Sequence, residues 1–298
     1  MTNILITGSK GQLGIALQNS AQNYPNYTCY FADKSALDIT TPDTVEAFIT
    51  TNTITVIINC AAYTNVDKAE DEEDLATEIN CLAVENLARI SKKHNVTFIH
   101  ISTDYVFDGT SEKPYVETAT TNPSNKYGLS KLKGEQALQK INPANAIIIR
   151  TSWLYSLNGN NFVTTMLRLF QKNNVVKVVS DQIGSPTNAT DLAQVLFTII
   201  PSINNKDVEI YHYSNKGICS WYQFAQEIAT LTQSKCAVVP ILSKDFNLLT
   251  LLTESIPVLM GSSNATRPIK ESFTPLLVDV NCTVIQRSSS IFCCTLAT

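Results

Sequence analysis

The stretch that most limits what this chain can become lies at its start. Ile4-Leu5-Ile6 is a short β-branched-rich run suited to a buried parallel strand. It runs into Thr7-Gly8-Ser9-Lys10-Gly11-Gln12-Leu13-Gly14, and Ile15-Ala16-Leu17 opens a helical pattern behind it. Strand, glycine turn and helix in that order form the opening of a dinucleotide-binding unit. Gly8 permits the tight turn, Gly11 lets backbone N–H groups approach a pyrophosphate, and Gly14 allows close helix packing. The spacing is G-x-x-G-x-x-G, one residue longer than the standard fingerprint, and a plain strand-to-helix turn is the competing reading.

Further along, strands and helices keep alternating. Tyr27 to Phe31 reads as a second strand and ends at Ala32-Asp33-Lys34. An acid about 20 residues past the glycines can bond an adenosine ribose 2′-OH, which favours NAD. Lys34 and Ser35 suit a 2′-phosphate instead, so NAD and NADP both stay open, and Asp33 also makes sense as a turn residue. Leu37-Asp38-Ile39 leads to a helix that starts at Thr41 or Pro42 and runs to about Ile49. Val56 to Cys60 is a third buried strand opening onto Ala61-Ala62-Tyr63-Thr64, where small residues let a cofactor lie against the backbone. Asp67 to Asp74 is acid-rich and predicts the start of a solvated helix. Ile79, Leu82, Ala83, Leu87, Ala88 and Ile90 recur at helical spacing. Asn80 within that helix suits either the cofactor loops or an interhelical contact. Val96 to Ile101 is a fourth strand, in which His100 reads as a satisfied strand residue rather than a catalyst.

That fourth strand ends in Ser102-Thr103-Asp104-Tyr105-Val106-Phe107-Asp108-Gly109. Open α/β sheets bind ligands at the carboxyl ends of their strands. Pro114 to Asn125 is a loop, and Tyr127-Gly128-Leu129-Ser130-Lys131 opens the next helix. A Tyr and a Lys four residues apart share one helix face. A free Tyr has a pKa of about 10, and an ammonium beside it favours the phenolate and lowers that value. Such a pair suits general acid–base chemistry. Alone, the spacing equally describes a surface helix pair. Thr103 is placed to hydrogen-bond a substrate carbonyl oxygen or the Tyr127 phenol.

The fold expected is α/β, a Rossmann-type doubly wound parallel sheet with a smaller C-terminal substrate lobe. Residues 1–150 form the dinucleotide-binding domain, and 151–298 are mixed segments that complete the sheet and build the substrate lobe. In this second half, Ala146 to Arg150, Val175 to Val179 and Ile210 to Tyr213 read as strands. Phe162 to Phe170, Trp221 to Leu231 and a segment starting at Asp191 read as helices. Trp153, at a strand's carboxyl end, suits either a sugar-covering ring or core packing.

Composition narrows the partners. A net charge of -4 argues against nucleic acid and anionic membranes. No apolar run reaches the roughly 18 residues of a spanning helix, and no basic flank and apolar core precede the glycine motif. The 8 cysteines include no Cys-x-x-Cys pair and the 3 histidines are far apart, which disfavours a zinc site. A reducing, cytoplasmic setting is expected.

With these motifs in place, the chain resembles the extended short-chain dehydrogenase/reductase superfamily. It is closer still to the dTDP-4-dehydrorhamnose reductase family. The narrower resemblance is carried by Cys60 to Glu70, Ser102 to Gly109, Arg150-Thr151-Ser152-Trp153-Leu154-Tyr155, Gly159-Asn160-Asn161-Phe162, Asp181 to Thr187 and Asp191-Leu192-Ala193. It spans about residue 3 to about residue 240. The resemblance implies reduction of the 4-keto group of a dTDP-linked 4-keto-6-deoxysugar by NADPH or NADH. It implies Tyr127 as proton donor, Lys131 as its tuner and a cofactor contact, and Thr103 as an adjuster of Tyr127. Gly11, Gln12 and Leu13 match pyrophosphate positions; Asp33, Asp38, Ile39, Ala62, Tyr63 and Thr64 match positions lining the cofactor. Thr103, Asp104 and Trp153 match substrate positions, and a homodimer is compatible with the resemblance. Some relatives bind a divalent metal through a Glu just after the glycines; Ile15 stands there, so no metal is expected. A non-catalytic regulator resembling the methionine adenosyltransferase β subunit, or another nucleotide-sugar epimerase or reductase, is the alternative. From about residue 243 the resemblance fades: Arg267-Pro268 is followed by Ile269-Lys270-Glu271-Ser272, and Ser288-Ser289-Ser290 and Cys293-Cys294 make an atypical tail without helical periodicity.

Overall fold

The computed structural model describes residues 2–245, 283–287 and 290–294. Its first half runs β1 (Thr2–Thr7), α1 (Gln12–Ala21), β2 (Tyr27–Ala32), α2 (Pro42–Thr51), β3 (Val56–Asn59), α3 (Glu73–Thr77), α4 (Ala83–His94), β4 (Thr97–Thr103) and α5 (Lys126–Ile141). The second half runs β5 (Ala146–Thr151), β6 (Leu154–Tyr155), α6 (Phe162–Lys172), β7 (Val175–Val179), β8 (Ile183–Gly184), β9 (Thr187–Asn188), α7 (Ala189–Ile199), β10 (Glu209–Tyr213), β11 (Cys219–Ser220), α8 (Trp221–Leu231) and β12 (Ala237–Ile241). Two further strands, β13 (Thr283–Arg287) and β14 (Ser290–Cys294), pair with each other.

The central sheet has the order β14-β13-β10-β5-β4-β3-β1-β2. From β10 to β2 every pairing is parallel. The alternation of side chains along a strand sends Ile4 and Ile6 to one face and Leu5 to the other. On the first face, Ile58, Ile99 and Ile149 pack with Leu13 and Leu17 of α1 and Leu192 and Leu196 of α7. On the second, Ile57, Phe98 and Ile148 pack with Val45 of α2, Leu87 of α4 and Leu138 of α5. Helices therefore cover both faces, the reason these strands read as continuous apolar runs. The order reverses direction between β1 and β3, and a crevice opens there at the strands' carboxyl ends.

A separate core joins α6 to α8. Met166 and Leu169 meet Val176, Val178, Trp221, Phe224 and Ile228. β12 lies parallel to β7 beside this cluster.

Several local readings change. The acid-rich segment is a 3-10 turn over Lys68–Glu70 followed by the short α3, because consecutive carboxylates offer no apolar stripe to extend a helix. Between α3 and α4 the chain makes a π-helical turn, Glu78–Leu82, that holds Asn80 in the interior. α7 starts at Ala189 rather than Asp191, since the Asn188 side chain accepts the Thr190 N–H at 2.8 Å and caps the helix earlier. In the tail, 283–287 and 290–294 add antiparallel strands at the β10 edge where no helix pattern exists. Arg267-Pro268 and Ser288-Ser289 lie outside the described residues.

Candidate functional site

A cavity of about 1080 Å³ occupies the crevice beside β1, β3 and β4. That is slightly above the roughly 300–1,000 Å³ usual for ligand pockets. Gly8, Gly11, Gln12, Leu13, Gly14, Asp33, Asp38, Ile39, Ala62, Thr64, Thr103, Asp104, Tyr127, Lys131 and Trp153 all line it. Tyr63 departs from the sequence expectation. Its phenol turns outward to Glu72 at 2.6 Å, and only its backbone stays with the neighbouring loop. That backbone is clamped by Asn80, which accepts from the Tyr63 N–H at 2.9 Å and donates to the Tyr63 carbonyl at 3.0 Å. The same Asn80 amide donates to Ser130 Oγ at 2.9 Å. It thus satisfies both readings open for it, pinning the post-β3 loop and bridging to α5.

At the glycine turn, the physics suits a dinucleotide. Gly8 has φ +66°, and a Cβ there would stand 2.7 Å from the Ala61 nitrogen. A Cβ on Gly14 would stand 2.4 Å from the Gly8 carbonyl oxygen, so α1 packs directly on the turn. Helix α1 begins after Gly11 with no side-chain cap, which leaves its first N–H groups to face the cavity. At the end of β2, Asp33 pairs with Lys10 and accepts from Ser35 Oγ at 2.6 Å. Those donors hold its carboxyl well below the usual range. Asp33 is therefore both a turn organiser and a cavity wall.

Over the glycine turn lies the segment after β6. Asn161 Nδ2 donates to Gln12 Oε1 at 2.9 Å, and Ser156 Oγ donates to it at 3.3 Å. Gly159, Asn160 and Asn161 line the cavity as a result. Their role as a wall was not legible from their spacing, because the contact joins residues about 150 positions apart. Trp153 has φ +49° and stacks on Trp221 with ring centroids 3.5 Å apart and planes 11° from parallel. Packing holds this uncommon backbone conformation, and the half-buried indole still borders the cavity.

Tyr127 and Lys131 occupy successive turns of α5, which starts where Asn125 Oδ1 accepts the Gly128 N–H at 2.7 Å. The Thr103 hydroxyl is a hydrogen-bond neighbour of the Tyr127 phenol and donates to Asp104 Oδ1 at 3.1 Å. Contrary to the sequence expectation, the phenol's pKa is raised, not lowered. Burial is the chief cause, Thr103 opposes it, and Asp104 and Tyr105 add to it. The Lys131 amine donates to the Ile101 carbonyl at 2.7 Å, and burial holds its pKa down to about 8. Burial also lifts Asp104 to about 6. The site therefore holds a protonated phenol and an amine that changes charge near neutrality. Behind them, Arg150 Nη2 donates to Glu135 Oε2 at 2.6 Å and Ser102 Oγ to Glu135 Oε1 at 2.5 Å, tying α5 to the ends of β4 and β5. Among the described residues, no cluster of His, Cys, Asp and Glu has the makings of a metal site, and no helix is long and apolar enough to cross a membrane.

A doubly wound sheet, an uncapped glycine-turn helix and a Thr/Tyr/Lys set in one crevice define an oxidoreductase of the extended short-chain dehydrogenase/reductase type. Residues 1–250 match the family model described as RmlD substrate binding domain. A protein named dTDP-4-dehydrorhamnose reductase from Aggregatibacter actinomycetemcomitans is 43% identical over 228 residues, 76% of this chain and 77% of its own. Another of that name from Escherichia coli is 37% identical over 249 residues, 82% of each chain. The crystal structure of dTDP-4-dehydrorhamnose reductase from Bacillus anthracis in complex with NADP superposes with a TM-score of 0.78 at 41% identity, covering 83% of this chain and 87% of that one. The chain belongs to the dTDP-4-dehydrorhamnose reductase family.

Proposed function

We propose that this protein reduces the 4-keto group of dTDP-4-dehydro-L-rhamnose to give dTDP-L-rhamnose, with NADPH or NADH as reductant. The observation that carries the reading is the convergence of the glycine turn, Thr103, Tyr127 and Lys131 on one cavity. When bound, the nicotinamide supplies a hydride to C4 of the sugar. The chain's own part is to hold the reactants and manage the proton. Gly11, Gln12 and Leu13 receive the pyrophosphate at the start of α1, and Asp33, Asp38, Ile39, Ala62 and Thr64 bound the rest of the cofactor. Tyr127, kept protonated by its burial, gives its proton to the oxygen that becomes a hydroxyl. Lys131 faces the resulting phenolate's side of the cavity as a nearby cation and proton source. Thr103 holds the phenol's orientation, and Asp104 and Trp153 bound the sugar.

In this reading residues 1–150 carry the dinucleotide, and the segments after 151, with their own α6–α8 core, hold the sugar nucleotide. Cys29, Cys60, Cys81, Cys219 and Cys236 are free thiols, which supports a reducing, cytoplasmic setting. A homodimer also belongs to the reading, and light scattering tests it. The direct experiment follows NADPH absorbance with the dTDP-linked 4-keto-6-deoxysugar and identifies the product by NMR. Stoichiometric dTDP-L-rhamnose supports the assignment. Tight cofactor binding with no turnover would transfer it to the non-catalytic regulator.

A further inference from the structure

His100 lies on β4 with none of its surface exposed, directly behind Lys131, and the chemistry above gives it no part. It ends a buried line of polar groups. Thr7 Oγ1 donates to Asn59 Oδ1 at 2.6 Å, and Asn59 Nδ2 donates to His100 Nδ1 at 3.1 Å. Thr7 and Asn59 are themselves fully enclosed, at 1% and 0% exposure. Each group in the line uses the donor or acceptor its neighbour offers. With Nδ1 occupied as an acceptor, a neutral imidazole carries its proton on Nε2. That nitrogen faces the Lys131 Nζ at 3.5 Å.

An N–H aimed at an amine has a definite preference. It can donate to the lone pair of the uncharged amine, and it opposes the ammonium, which has no lone pair to offer. The Ile101 carbonyl accepts from Nζ at 2.7 Å in either state. We propose that His100, held from behind by Asn59 and Thr7, is a positioning residue that turns an imidazole N–H toward the Lys131 amine and keeps the amine's proton available to Tyr127. The inference rests on the reading of Tyr127 as proton donor. In each turnover the Tyr127 O–H bond breaks as the sugar O–H bond forms. A Lys131 N–H then breaks as the phenol is restored. The uncharged amine left behind accepts the His100 N–H without proton transfer until solvent recharges it.

The other ionisable groups bearing on Lys131 are Cys60, just past β3, and Glu135 on its own helix. Cys60 and Glu135 favour the ammonium, so His100 stands as the polar contact that opposes it. Burial keeps His100 itself well below the ordinary histidine range, so it stays uncharged throughout.

Two replacements separate positioning from packing. The side chain of His100→Asn keeps an amide beside Asn59 and leaves Nζ unfaced. That of His100→Gln reaches toward Nζ with an amide N–H. The full chain is assayed with NADPH and the 4-keto sugar nucleotide across pH 6 to 10. His100→Asn is expected to lower kcat at neutral pH about tenfold and to move the alkaline limb of kcat up by about one pH unit. His100→Gln is expected to recover most of both changes, with NADPH affinity within about threefold in each variant. Wild-type kcat and limb in His100→Asn, or equal losses in both variants with an unmoved limb, would overturn the proposal. If His100→Asn does not fold, Thr7→Val, which removes the far end of the line, is expected to shift the limb in the same direction by less; no shift overturns it. Full turnover by Tyr127→Phe would instead refute the proton-donor reading itself, whatever His100 does.

Discussion

Glu135 offers the sharpest test of how the site is held. Its side chain is 1% exposed and that of Arg150 is 4% exposed. Arg150 Nε reaches Glu135 Oε1 at 3.0 Å, Nη2 reaches Oε2 at 2.6 Å, and Ser102 adds its hydroxyl at 2.5 Å. Glu135→Leu leaves a buried guanidinium whose remaining hydrogen-bond partners, the Glu117 carbonyl and His212, are both at 3.4 Å, and whose place over the Phe107 ring at 5.1 Å supplies no full counter-charge. Stranding a buried charge costs about 3–5 kcal/mol. The orphaned Ser102 hydroxyl adds about 1 kcal/mol. With roughly 2–4 °C of Tm per kcal/mol for a fold of this size, the melting point should fall by about 8–24 °C. Urea and thermal melts of Glu135→Leu, Arg150→Met and the double variant measure the effect. The double variant should lose clearly less than the two single losses added, because removing both charges strands neither. A Glu135→Leu variant within about 1 kcal/mol of wild type would show instead that the guanidinium reaches water or another anion.

Other perturbations follow the same physics. Gly14→Ala drives a Cβ to 2.4 Å from the Gly8 carbonyl oxygen, where only backbone can yield. A loss of about 1–3 kcal/mol in denaturant melts is expected, together with weaker NADPH binding by fluorescence titration. Asn161→Ala breaks the 2.9 Å bond to Gln12 across the cavity. NADPH release in stopped flow should quicken by about tenfold, the equivalent of one hydrogen bond. For Lys131, burial holds the folded pKa at about 8 against a reference of 10.5. Between those values the unfolded chain binds the extra proton, so this group makes stability rise with pH across that window. Wild type minus Lys131→Met should rise by about 3 kcal/mol from pH 8 to 10.5 in urea melts, and a flat difference would contradict the burial.

Much of this architecture was legible in the residues because its causes are local. Ile4-Leu5-Ile6, Val56 to Ile58 and Ala146 to Ile149 are apolar on both faces because helices cover both sides of the sheet. The glycine turn was readable since only glycine tolerates φ +66° at Gly8 with Ala61 so close. Three things were not readable. Tyr63 sits in a matching motif, but Glu72 draws its phenol away. His100 looked like an ordinary strand residue, and its contact with Lys131 depends on how α5 crosses β4. The direction of the Tyr127 pKa was not readable either, because helical spacing reveals a lysine one turn on but not the burial that raises the phenol. Trp153 could not be divided between core and cavity from sequence, and the structure uses it for both.

The measurement that bears most directly on the assignment compares wild type with Tyr127→Phe in single turnover, with NADPH prebound and the 4-keto sugar nucleotide mixed in. If Tyr127 donates the proton, the variant keeps NADPH affinity within about threefold of wild type and loses roughly 10²–10⁴ in the rate of cofactor oxidation, the usual worth of a positioned acid. Oxidation by Tyr127→Phe at the wild-type rate would contradict the assignment, because the proton would then come from somewhere other than this phenol.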